Sequence, residues 1–130
     1  MLTMNAIGLF VTDMEKMVAF YRDVMGMQTK WAGEANAELY SGGFMLILYG
    51  RKDFETMTAR QYGYPAGLNG TAEISFNTQN FAEADKEYHR VVAAGATPVF
   101  EPTTEPWGQR TCYVADPDGN LIEISSFVKE

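Results

Sequence analysis

Histidine and cysteine are nearly missing from this chain, which has one of each, His89 and Cys112. A lone cysteine excludes an intramolecular disulfide framework and a thiolate metal cluster. A lone histidine, set between Tyr88 and Arg90 in a helical stretch, reads as solvent-facing and gives little support to a His-based triad. Lys and Arg are also scarce, 10 against 17 Asp and Glu, for a net charge of −7. That balance argues against a nucleic-acid partner, which needs clustered cations, and is compatible with a preference for cationic ligands. No apolar run approaches the roughly 20 residues that cross a bilayer, so no membrane partner is expected. The opening Met1-Leu2-Thr3-Met4-Asn5 has neither a basic nor an apolar leader pattern, which makes the cytoplasm the expected location. Gly-rich phosphate loops and Walker motifs are missing as well.

What is present is a repeat. Ala6-Ile7-Gly8-Leu9-Phe10-Val11 reads as a strand. Thr12 and Glu15 then make a capping box, and Asp13 adds negative charge to the first helical turn. Met14, Met17, Val18, Tyr21 and Met25 follow at helical spacing, with Gly26 as the stop. The same order recurs downstream. Ala72 to Asn77 alternates at period two, Asn80 with Glu83 caps a helix that buries Phe81, Ala84, Tyr88, Val91 and Val92, and Gly95 ends it.

Short extended segments follow each helix. They are Gln28 to Trp31, Ala37 to Tyr40 and Phe44 to Tyr49, then Thr97 to Phe100, Arg110 to Ala115 and Leu121 to Ser126. Gly42-Gly43 and Asp116-Pro117-Asp118-Gly119 serve as turns. Each half is therefore β-α-β-β-β, and an internal repeat outweighs any single element. The expected architecture is α+β: one domain over 1–130, with a first module at about 1–50, a polar connector at about 51–70 and a second module at about 71–130. The connector is expected to hold a short helix near Glu55 to Tyr62. One helix covers one sheet face in each module, so the other faces should curve into a cup-shaped mixed sheet.

Two segments carry a family resemblance. One runs from Phe10-Val11-Thr12-Asp13 into Phe20-Tyr21-Arg22-Asp23-Val24-Met25-Gly26-Met27. The other is Tyr113-Val114-Ala115-Asp116-Pro117-Asp118-Gly119-Asn120-Leu121-Ile122-Glu123-Ile124. Together they resemble the vicinal-oxygen-chelate superfamily, which includes glyoxalase I, extradiol dioxygenases and bleomycin-resistance proteins, over essentially the whole chain. In metal-dependent members of that superfamily four strand positions hold the metal. Carried over, they fall on Ala6, Ile47, Glu73 and Glu123. Ala6 and Ile47 have no ligating atom, so the resemblance implies a member without a tightly bound metal and with no other cofactor.

Period-two alternation independently turns Glu73 and Ser75, and Glu123 and Ser125, toward the cup, away from Ile74, Phe76, Ile122 and Ile124. Four arrangements follow for the two carboxylates: Arg110 pairs with one of them, a cationic ligand sits between them, one acts as an acid–base catalyst, or water or a weakly held divalent ion lies there. Phe10, Trp31, Tyr40, Tyr49, Trp107 and Tyr113 are the aromatic candidates for the cup wall, with Arg110 beside them. Met14, Met17 and Met25 are expected in the core, and Cys112 within a strand. The expected function is binding of a small aromatic or cationic molecule by a homodimer. The alternative is a metal-dependent or metal-free lyase, isomerase or dioxygenase using Glu123 and Glu73.

Overall fold

In the computed structural model, which describes residues 1–130, the chain divides into two units, Met1–Tyr64 and Pro65–Glu130. The first unit runs β1 (Ile7–Val11), α1 (Met14–Ala19), β2 (Gln28–Thr29), β3 (Asn36–Ser41), β4 (Phe44–Gly50) and α2 (Arg51–Thr58). The second runs β5 (Asn69–Asn77), α3 (Phe81–Ala93), β6 (Thr97–Thr104), β7 (Arg110–Ala115) and β8 (Asn120–Ser126). Strand order is β1-β4-β3-β2 in one sheet and β5-β8-β7-β6 in the other. The first and last strands of each βαβββ module pair in parallel, and the remaining pairs are antiparallel. The sequence repeat is thus a structural repeat of two four-stranded mixed sheets.

A parallel pair needs a crossover, and the crossover helix covers one sheet face. Between the first helical segment and its sheet pack Val11, Met17, Val18, Tyr21, Leu39 and Leu48, all essentially inaccessible. Ala84, Tyr88 and Val91 of α3 pack on Cys112, Val114, Ile122 and Ile124 of the second sheet. The expected alternation therefore holds in β8. Its even-numbered isoleucines are buried on the helix side and Glu123 is turned the other way.

Several local expectations change. The first helix is capped by Asp13, not Thr12: Asp13 Oδ1 accepts the Lys16 amide at 3.0 Å. An ionised carboxylate is a stronger acceptor than a hydroxyl, so it takes the free N–H. Helical spacing also breaks after Ala19, where Phe20–Val24 forms a π turn and the Met25 amide donates to the Phe20 carbonyl. The wider turn buries both Phe20 and Tyr21, edge to face at 5.1 Å, and leaves Met25 half-buried.

The connector helix begins directly after β4, at Arg51 rather than near Glu55, and ends at Ala59 with φ 52°. Strand β6 continues past Phe100 to Thr104 despite Pro98 and Pro102. It lies at the sheet edge with shifts of register at those points, where a missing N–H costs little. The turn after β7 is closed by Asp116, whose carboxylate accepts the amides of Asp118 and Asn120 at 2.9 Å each. Gly119 has φ 88°, and a Cβ there would lie 2.1 Å from the Gly67 carbonyl oxygen. No helix is long and apolar enough to cross a membrane.

Candidate functional site

Glu123 stands on the face of the second sheet turned away from α3, between Ser75 on β5 and Tyr113 on β7 in the strand register. Four neutral donors reach its carboxylate. Ser75 Oγ donates to Oε1 at 2.8 Å. Thr111 Oγ1 donates to Oε2 at 2.7 Å, and Tyr113 OH and Gln109 Nε2 approach the same oxygen at 3.3 Å each. Glu73 lies one strand away and is exposed, with Tyr113 OH 3.5 Å from its Oε1. A phenol has one hydrogen, so Tyr113 can satisfy only one of the two carboxylates at a time. Burial, then the charges of Glu123 and Glu73, push its ionisation well above the ordinary phenol range. Neither glutamate has a Lys or Arg ion-pair partner.

The turn between β6 and β7 supplies the aromatic neighbour. Pro106 sits at the second turn position and Gly108 takes φ 90°, which lets the Gly108 amide donate to Glu105 and the Glu105 amide donate back to Gln109. Trp107 at its tip is 64% exposed, and its indole N–H donates to Gln109 Oε1 at 2.8 Å.

Arg110 does not join this group. Its guanidinium donates twice to Asp85 on α3, at 2.8 and 3.0 Å, and once to Thr104 at 3.0 Å. The cause is parity: Arg110 shares a face with Cys112 and Val114, which are buried under α3, whereas Thr111 and Tyr113 share a face with Glu123. Of the four arrangements open to the two carboxylates, pairing with Arg110 is the one this geometry rules out.

The other aromatic candidates lie in the first unit. Phe10 stacks on Tyr49 at 5.9 Å and on Phe54 of α2 at 4.2 Å. Trp31 and Tyr40 border a shallow cavity of about 520 Å³ with Glu34 and Glu38. There Trp31 Nε1 donates to the Glu34 carbonyl at 2.8 Å and Tyr40 OH donates to Glu38 at 2.6 Å. Sequence reasoning missed Thr111, Gln109 and Phe54. Thr111 was readable, being two residues before Tyr113 on the same strand. The aim of Gln109 depends on the turn and left no sequence signal.

The residues do not fit a resident transition metal. Ala6 and Ile47 offer no donor atom, no three His, Cys, Asp or Glu side chains are grouped to hold an ion, and His89 is exposed on α3. Protein metal sites of that kind ordinarily need three or four side-chain ligands.

Two βαβββ modules, each with a four-stranded mixed sheet, define the class. The chain belongs to the Glyoxalase/Bleomycin resistance protein/Dioxygenase superfamily, whose family model matches residues 3–124. It is similar to the uncharacterized protein YraH of Bacillus subtilis, 33% identical over 122 residues that span 91% of this chain and 93% of the relative. It also resembles a protein named metallothiol transferase FosB from Shouchella clausii, 30% identical over 122 residues, 92% of this chain and 77% of the relative. Among solved structures, a glyoxalase/bleomycin resistance protein/dioxygenase family enzyme from Burkholderia phytofirmans superposes with TM-score 0.83 at 22% identity, covering 95% of this chain and 98% of that one. That last likeness speaks for the fold alone.

Proposed function

We propose that the chain binds a small molecule with a cationic, N–H-bearing group and an aromatic body, without a resident transition metal. The anchor is Glu123 on the second sheet, and Trp107 and Tyr113 form the aromatic side. The supporting observation is a carboxylate held in place by four neutral donors with no cation of its own to balance it. Ser75, Thr111 and Tyr113 direct their single hydrogens toward that carboxylate and keep only acceptor lone pairs for an occupant. An ammonium, amidinium or guanidinium group meets such acceptors, and an anion does not. An aromatic neighbour adds roughly 0.5–2 kcal/mol to a cation at its face.

The test is tryptophan emission during titration with a panel of aromatic cations, neutral isosteres and aromatic acids. Cations should quench saturably, and Glu123→Gln should weaken them at least about tenfold, since a charge-assisted hydrogen bond contributes about 1.5–3 kcal/mol. Quenching by acids alone, or full affinity in Glu123→Gln, rejects the proposal. A stoichiometric transition metal in protein purified without chelator rejects its metal-free clause.

The likeness to FosB favours a second reading, an enzyme using Glu123 and Glu73. A metal-dependent version lacks ligands on this chain. A metal-free version would draw on the Tyr113 hydroxyl between the two carboxylates, and would show as lost turnover in Glu123→Gln with ligand affinity intact. In both readings the chain acts as a cytoplasmic homodimer, which sedimentation would check.

A further inference from the structure

Gln109 lies between the two parts of the proposed site. It is only 9% exposed, although it closes a turn whose tip residue, Trp107, stands 64% exposed. A carboxamide has one acceptor end and one donor end, and its partners decide which end points where. Indole N–H is a donor only. Its bond to Gln109 Oε1, 2.8 Å long, therefore fixes the oxygen toward Trp107. The amide nitrogen is then turned to Glu123 Oε2, 3.3 Å away. Indole, amide and carboxylate form a chain of single polarity, in which negative charge on Glu123 strengthens both bonds in the same sense. The turn contributes to the same end. Its two backbone hydrogen bonds hold residues 105–109 in register, so the indole folds back onto Gln109.

We propose that Gln109 is a positioning residue that joins Trp107 and Glu123 into one recognition unit. This rests on the reading of Glu123 as a cation anchor. Aromatic wall and anionic anchor are then held at a fixed separation by a single amide. The ligand class this selects is a rigid one, with its N–H cation attached directly to an aromatic ring, as in an aryl amidinium. Molecules that carry the two parts on a long flexible chain gain less, because they must first be ordered.

The experiment uses the full chain and benzamidinium as the probe, with benzamide as its neutral isostere, followed by amide chemical-shift titration. Trp107→Phe keeps an aromatic ring and removes the N–H, and Gln109→Leu keeps most of the volume and removes the relay. Each single variant should weaken benzamidinium about tenfold, and the double variant should be no weaker than either, the signature of a shared interaction. The preference for benzamidinium over benzamide should fall in both, which a loss of packing alone would not cause. If Gln109→Leu does not fold, Gln109→Met takes its place in the same cycle. Wild-type affinity in Trp107→Phe, or losses that multiply in the double variant, would overturn the relay and leave the Glu123 reading standing. Failure of benzamidinium to bind the wild-type chain, or equal binding to Glu123→Gln, would overturn the site itself.

Discussion

Tyr113 offers the sharpest electrostatic consequence of this geometry. Burial first, and then the charges of two glutamates 3.3 and 3.5 Å from its hydroxyl, hold the phenol neutral. In the unfolded chain the same phenol ionises near its ordinary value of about 10. The folded value is the raised one, so the stabilising contribution is complete below about pH 10 and is lost as pH climbs from there through the folded value. While the unfolded tyrosine is ionised and the native one is not, the loss runs to at most about 1.4 kcal/mol per pH unit.

Tyr113→Phe removes this dependence. Tyr40, Tyr64 and Tyr88 are also shifted upward, so both proteins lose stability in alkali and only their difference isolates Tyr113. At pH 8 the substitution should cost less than about 1 kcal/mol, because the contacts it removes are long. Urea unfolding at half-unit steps from pH 8 to 11 measures the difference. The advantage of the wild type should shrink, and then reverse, above about pH 10. Parallel curves across that range would refute the placement of the hydroxyl between two charged carboxylates.

Three further outcomes follow from the same structure. Gly119→Ala combines a backbone at φ 88° with a Cβ 2.1 Å from the Gly67 carbonyl oxygen, and should destabilise by about 3 kcal/mol or more; a urea-measured loss under about 0.5 kcal/mol would contradict it. Cys112 is inaccessible, and burial, with Asp85 and Glu123 behind it, pushes its thiol up to about 12. The native chain should therefore resist alkylation at pH 8 and react fully in urea, and rapid native labelling would refute this. Asp85→Asn should cost only about 0.5–1 kcal/mol, since the pair with Arg110 is partly exposed, and should leave benzamidinium affinity unchanged. A large loss of affinity would return Arg110 to the site.

Much of this was legible in the residues because it depends on local chemistry. The Asn80 cap is present as read: its side chain accepts the Glu83 amide, and Glu83 accepts the Gln79 amide in return. Strand β7 matches its predicted bounds, and the alternation around Ile122 and Ile124 gave the correct face for Glu123. Arg110 was misassigned although the information was there, since counting by twos from Cys112 and Val114 places it under α3. Other features depend on contacts distant in sequence. Strand β5 starts at Asn69 because the Asn69 amide donates to Gly119 and its side-chain amide donates to Asn120, partners that no local pattern announces. The π turn after Ala19 depends on burying Phe20 and Tyr21 together, which helical periodicity cannot express. The convergence of Gln109 and Thr111 on one carboxylate oxygen likewise requires the turn and the strand pairing at once.

Amide chemical-shift mapping at saturating benzamidinium would locate the bound cation. The largest perturbations should fall at Glu73, Ser75, Gln109, Thr111, Tyr113 and Glu123, with the Trp107 indole N–H moving alongside them. Perturbations confined to Trp31, Glu34, Glu38 and Tyr40 in the first unit would contradict this placement.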